Sequence, residues 1–197
     1  MSPNASRSPA LPREERERRV LDTAAELFYA RGVHEVGMDE LVRATGFGKA
    51  TVYRLFPTKD ALVGAYLERR ARTILGLVDR DVAEREPADA VLAIFAAIEA
   101  DLARPGFRGC AFNNASIEFD DPAHPARAAA REYRAALRSR LRGLAEEIAP
   151  GEGERLGDRL ALLVDGMYTS AAHLGPDGPA GGGADLAAAL LEAAGRG

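Results

Sequence analysis

The chain reads as all-α, about nine helices with no sheet: an N-terminal three-helix helix-turn-helix unit followed by a larger C-terminal helical unit. Three observations predict this. Apolar residues recur at spacings of three and four along most of the chain, no stretch alternates with period two, and Gly or Pro stands where each periodic segment stops.

The first dozen residues, rich in Ser, Pro and Ala, read as a mobile arm, residues 1–12. Val20, Leu21, Ala24, Leu27 and Phe28 then share one face of a first helix, which Gly32 ends. Gly37 opens a short second helix with Met38, Leu41, Val42 and Thr45 inward, and Gly46 stops it. A third runs from Lys49 to Phe56. Pro57 ends it, and Thr58 is suited to N-cap a long fourth helix reaching toward Pro87, with Leu62, Tyr66, Ile74 and Leu77 facing a core. A fifth carries Val91, Leu92, Phe95, Ile98 and Leu102 and breaks at Pro105-Gly106. A sixth is expected over 109–119, a seventh over 126–149, an eighth over 154–174 and a ninth over 184–195, the last two separated by the helix-incompatible GPDGPAGGG.

Length and composition bound the function classes. At 197 residues there is room for one unit of about 50 residues and one of about 130. The hydrophobic fraction of 47% beside 28% charged residues is that of a globular protein. No apolar run approaches the roughly 18 residues of a membrane span, and the first 19 residues lack the apolar stretch of a secretory signal, so no membrane partner and a cytoplasmic location are expected. The lone Cys110 agrees with a reducing compartment. The net charge of −4 conceals an asymmetry: residues 1–80 hold 14 Lys and Arg against 11 Asp and Glu, and residues 81–197 hold 12 against 19. A basic end beside an acidic body suits phosphate binding without nonspecific wrapping by DNA.

The informative segment is 38–62, MDELVRATGFGKATVYRLFPTKDAL: a short helix, a tight Gly-bearing turn and a second short helix, the arrangement that lets the second helix lie in a major groove. In that helix Val52, Leu55 and Phe56 take one side, while Ala50, Tyr53 and Arg54 project from the other, flanked by Lys49 and Thr51. Arg54 suits phosphate or guanine edges, Tyr53 a phosphate and Ala50 a thymine methyl. Lys49 and Lys59 are the only lysines in an otherwise arginine-based chain, and both lie here. Lys59 sits at a helix start, where the macrodipole disfavours a cation by about 0.3–1 kcal/mol; a docked phosphate reverses that sign.

The run Gly46-x-Gly48-Lys49-x-Thr51-x-Tyr53-x-x-Phe56-x-x-Lys59-x-x-Leu62, with the preceding RREERERRVLDTAAELFYARG, resembles the helix-turn-helix region of the TetR family of transcriptional regulators over about residues 13–62. The resemblance implies a nine-helix homodimer, usually a repressor, with a helix-turn-helix domain over 13–59 and an effector-binding and dimerisation domain over 60–197. It places the DNA contacts on Lys49, Ala50, Thr51, Tyr53, Leu55 and Lys59, with Arg54 nearby. Gly37 and Gly48 stand where many relatives carry Ser or Thr, so two hydroxyl contacts to phosphate are expected to be missing.

Gly109-Cys110-x-Phe112-x-Asn114, Glu118 and Asp121-Pro122-x-His124-Pro125 resemble a subset of that family without naming a ligand. Phe95, Ile98, Phe112, Ile117, Tyr133, Leu137, Met167 and Tyr168 are candidate walls of an effector cavity, with Asn113, Asn114, Glu118, His124 and Asp165 as polar candidates; such a stripe is also ordinary core. Cys110, Glu118, His124 and His173 have no metal-ligand spacing, so no metal or cofactor is expected. The stripe Arg127, Arg131, Arg134, Arg138 and Arg142 reads as a solvated helix face. Leu160, Leu163, Val164, Met167 and Ala171 face an Ala-rich last helix, and two such helices per chain suit a four-helix dimer interface. No nucleophile-base-orienter set marks an enzyme, so no catalytic residue is expected. The expected partners are double-stranded operator DNA, a second copy of the chain and a small-molecule effector.

Overall fold

In a computed structural model, which describes residues 11–195, the chain forms nine α-helices and one 3-10 turn, with no strand among the described residues. They are α1 (Arg13–Arg31), α2 (Met38–Thr45), α3 (Lys49–Leu55), α4 (Lys59–Glu84), α5 (Pro87–Leu102), α6 (Ala111–Ser116), α7 (Pro125–Ile148), α8 (Gly153–Leu174) and α9 (Gly183–Ala194). Residues 1–10 of the expected arm lie outside the described residues.

The apolar stripe of α1 sets the N-terminal cluster. Val20, Leu21, Ala24 and Phe28 are buried and meet Leu41 of α2, Val52 of α3 and Phe56 beyond it in one core. Gly46 turns the chain between α2 and α3 at φ 69°, a left-handed conformation that a residue without Cβ adopts at no steric cost. Thr45 secures the same turn, its hydroxyl accepting from Phe47 N–H at 3.2 Å. Pro57 cannot continue α3, and the Thr58 hydroxyl accepts from Ala61 N–H at 3.0 Å to cap α4. The start of α4 is seated under α1 by Leu62 and by Tyr66, whose ring lies 6.0 Å from that of Phe28.

From there α4 runs unbroken for 26 residues into the C-terminal bundle, where it packs against α5 and α7. The α7 and α8 helices approach closely at Gly153 and Gly157, one turn apart: a Cβ on Gly157 would stand 2.6 Å from Arg142 Cα. The α9 helix closes the bundle over α5 and α8, its Gly183 resting on Met167.

Three expectations are corrected. The sixth helix covers six residues instead of 109–119, because Glu118 turns away to meet the loop after α1. The arginine face of α7 is not simply solvated. Arg134 pairs with Asp165 and Asn113, Arg138 and Arg142 share Asp158 of α8 through bonds of 2.7 Å, and Arg127 donates to Phe119 O at 3.0 Å. The expected loop before α9 also contains a 3-10 turn, Pro179–Gly182.

Candidate nucleic-acid interface

The α3 helix is held from behind and open in front. Val52 is fully buried and Phe56 nearly so, whereas Lys49, Ala50 and Arg54 are exposed and Thr51, Tyr53 and Leu55 half-buried. All seven expected contact residues therefore fall on α3 or at the first position of α4. Lys49 Nζ lies 2.8 Å from Asp39 Oδ1 and 5.6 Å from the Tyr53 ring centroid. The bond from Lys49 and its charge hold the Asp39 carboxyl below the ordinary aspartate range. An exposed pair of this kind contributes little and exchanges its partner at little cost. Lys59 Nζ lies 3.4 Å from His34 O, which leaves its remaining donors available at the helix start.

Neither Gly37 nor Gly48 supplies a side-chain cap to α2 or α3. A Cβ on either would meet nothing within 4 Å, so the space for a hydroxyl exists and is empty.

A feature passed over in the sequence stands beside α3. Arg13 and Arg16, one turn apart on α1, converge with Arg54, Thr51 and Leu55 around a small cleft. Buried Arg16 Nε has no hydrogen-bond partner among the described residues. Three guanidinium groups thus border one edge of α3. The signal was present as Arg13-x-x-Arg16 at helical spacing, but it was masked by the surrounding run of alternating charge.

In the bundle, a cavity of about 180 Å³ opens between α4, α5, α7 and α8. Of the eight expected wall residues and five polar candidates, Ile98, Tyr133, Leu137 and Tyr168 line it. The others are placed elsewhere. Phe95 and Met167 are buried in the core, and Phe112, also buried, stacks on Tyr133 at 3.9 Å. Asn113 and Asp165 are tied to Arg134, and Asn114 donates to Arg108 O at 2.7 Å. Ile117 is 78% exposed at the end of α6. His124 caps α7, its Nδ1 accepting from Ala126 N–H at 3.1 Å, with Phe119 stacked on its ring. Glu118 accepts from Val33 N–H at 2.9 Å and His34 N–H at 2.7 Å, joining the segment after α6 to the loop between α1 and α2. The wall that spacing alone did not reveal comes mostly from α4, through Arg70, Ile74, Leu77, Val78 and Asp81, with Ile94, Ala97 and Asp101 from α5 and Val164 from α8. Burial pushes the Cys110 thiol up, away from the reactive thiolate.

Three helices with a left-handed Gly turn, an exposed basic α3 and an appended helical bundle containing a cavity define a helix-turn-helix regulator of transcription. Residues 20–66 match the family model for bacterial regulatory proteins of the tetR family. A TetR-family transcriptional regulator from Streptomyces coelicolor is 32% identical, with a TM-score of 0.87 over 92% of this chain and 97% of that one. A tetR-type regulator from Streptomyces avermitilis is also 32% identical, with a TM-score of 0.77 over 91% and 97%. The chain belongs to the TetR family of transcriptional regulators. Among curated proteins, an uncharacterised helix-turn-helix regulator from Mycobacterium tuberculosis is 41% identical over 56 residues, and the transcriptional activator FasR of Mycolicibacterium smegmatis 38% over 65. These alignments span only 28% and 30% of those relatives' lengths. Among the described residues no helix is long and apolar enough to cross a membrane.

Proposed function

We propose that the chain is a cytoplasmic repressor that binds a palindromic operator as a homodimer and leaves it when a small-molecule effector occupies the bundle. In this reading residues 13–59 read DNA and residues 60–197 sense and dimerise. Lys49, Ala50, Thr51, Tyr53, Arg54 and Leu55 meet the major groove or its phosphates, and Lys59 anchors a phosphate at the start of α4. No catalytic step, metal or cofactor enters.

The observation that carries the reading is the course of α4. Its Thr58-capped start lies directly after α3, and its middle supplies Arg70, Ile74 and Val78 to the cavity wall. Occupying the cavity therefore acts on the helix that carries Lys59. The dimer is supported by exposed leucines on the last two long helices: Leu162 and Leu174 on α8 are 73% and 64% exposed and Leu186 on α9 is 51% exposed. Apolar side chains at such exposure on adjacent helices are what a second copy covers. In the dimer the two α3 helices would stand about 34–36 Å apart, one turn of DNA.

A second reading, an activator or an effector-independent regulator, is favoured by the similarity of the N-terminal part to the activator FasR. Selection of bound fragments from random DNA, followed by mobility shifts, tests both. A repressor of this type yields a two-fold-symmetric site occupied by two chains. Occupancy of a promoter that raises transcription instead would establish the second reading.

A further inference from the structure

Resting on the sensing role just proposed, the cavity also carries information about what it senses. Its wall is mainly aliphatic, with three charged residues and two phenols. Each carboxylate among them already faces an arginine. Asp101 Oδ1 takes Arg104 Nε at 2.7 Å, and its Oδ2 accepts from the Tyr168 hydroxyl at 3.0 Å. Asp81 faces Arg85 Nε at 3.3 Å. The donors lack such partners. Arg70 makes no hydrogen bond or ion pair among the described residues; its guanidinium meets only the face of the Tyr29 ring, 5.9 Å from the centroid. The Tyr133 hydroxyl, on a side chain that is otherwise buried, likewise has no partner among the described residues. Burial keeps that phenol protonated, and the Arg70 charge is near enough to act on it.

We infer that the cavity takes a small apolar monocarboxylate, its carboxylate on Arg70 and the Tyr133 hydroxyl and its hydrocarbon body against the aliphatic walls of α4, α5 and α7. A planar guanidinium with its donors free is matched by a carboxylate, which it binds through two parallel bonds. The Asp101–Arg104 and Asp81–Arg85 pairs are internally balanced, so Arg70 leaves one positive charge to be neutralised. At Asp101, both of whose oxygens are taken, a cationic ligand would have to displace Arg104 or the Tyr168 hydroxyl. Size points the same way: an apolar cavity of roughly 150 Å³ holds benzene, and this one is about 180 Å³, room for a phenyl ring or a short alkyl chain with its carboxylate at the polar edge. Arg70 also reports on occupancy, because the Tyr29 face it leaves belongs to α1, and the Tyr29 hydroxyl donates to Gly109 O at 3.1 Å.

Phenylacetate, 2-phenylethanol and 2-phenylethylamine share one ring and differ in the charge of the head group. Calorimetric titration of the full-length protein with each, beside its affinity for a selected operator fragment, tests the inference. Phenylacetate should bind at least about tenfold more tightly than either analogue, a gain within reach of a charge-assisted pair. Arg70→Gln should abolish that preference while leaving the alcohol's affinity within about twofold; Arg70→Lys should retain part of it, and Tyr133→Phe should weaken phenylacetate several-fold. Operator binding by each variant shows that it is folded. Equal or tighter binding of the alcohol or the amine, or an Arg70→Gln variant that keeps the preference, overturns the carboxylate assignment. If the alcohol or amine also releases the operator, the repressor reading survives that failure. If none of the three binds while the operator is held, the carboxylate assignment falls and sensing by this cavity loses its support.

Discussion

The Glu118 carboxylate accepts from the His34 backbone N–H at 2.7 Å and lies 2.9 Å from the Nδ1 of the same residue, so one side chain from the segment after α6 grips the loop between α1 and α2. Val33 N–H donates to its other oxygen. Behind it Gly32, at φ 92°, would place a Cβ 3.2 Å from Glu118 Oε1. The grip therefore depends on glycine both for its backbone angle and for its lack of a side chain.

Replacing Glu118 by Ala removes the acceptor for two backbone donors. We expect a loss of about 1–2 kcal/mol, the cost of leaving such groups without a protein partner, read as a lower midpoint in thermal denaturation. Glu118→Gln, which keeps one acceptor oxygen, should lose less. An unchanged midpoint in Glu118→Ala would show that the contact contributes nothing to stability.

The same contact sets a pH dependence. Burial works against the charged form of Glu118, but the Val33 and His34 N–H donors and the His34 ring outweigh it and hold the carboxyl below its ordinary value. A depressed folded value means that the contribution is complete above the unfolded glutamate value, about 4.3, and is lost as pH falls through the folded value. Melting curves from pH 7 to 3 should therefore converge for wild type and Glu118→Gln at the acid end. Curves that diverge further as pH falls contradict the assignment.

Alanine at Lys49, Tyr53 and Lys59 together should weaken operator binding by at least about a hundredfold, since phosphate and base contacts each contribute on the order of 1–3 kcal/mol. The circular dichroism spectrum and melting midpoint should change little, because none of the three side chains belongs to the buried core. Retained binding would move the interface to another face.

Arg13→Ala and Arg16→Ala address the cleft beside α3. If each guanidinium neutralises one phosphate, each substitution should lower the slope of log affinity against log salt by about 0.9 per site contacted, with no change in the preferred sequence. A changed consensus with an unchanged slope would assign these arginines to base reading.

Gly157→Ala tests the close contact between α7 and α8. Its Cβ would press on the Arg142 main chain at N and Cα, 2.7 and 2.6 Å away, where no side-chain rotation relieves the clash. We expect destabilisation of about 3 kcal/mol, the upper part of the usual range for overpacking. Gly143→Ala, whose Cβ meets nothing within 4 Å, is the matched control and should be neutral or slightly stabilising.

Most helix boundaries were legible because Gly32, Gly46, Pro57, Thr58 and Pro87 mark them by backbone chemistry that acts locally. The face of α3 was legible for the same reason: seven residues at helical spacing decide which side is apolar. The cavity wall was not. Periodicity shows that Phe95, Phe112 and Met167 turn inward, but not whether they meet another side chain or a void, which depends on how far apart neighbouring helices stand. The roles of Glu118 and the α7 arginines also lay beyond sequence, since their partners are 84 residues away for Glu118–His34 and 31 for Arg134–Asp165. Asp158, shared by Arg138 and Arg142, is held well below the usual carboxylate range by their bonds. Nothing in local spacing announces that pairing.

The unbroken length of α4 gives the molecule a mechanical ratio. Twenty-six residues form a rod of about 39 Å. With no proline between Lys59 and Glu84 to serve as a joint, a tilt of about 5° applied at one end swings the other by about 3 Å, close to the rise of one base pair, roughly 3.4 Å. In the repressor proposed above, a tilt of that size would carry α3 out of register with its groove.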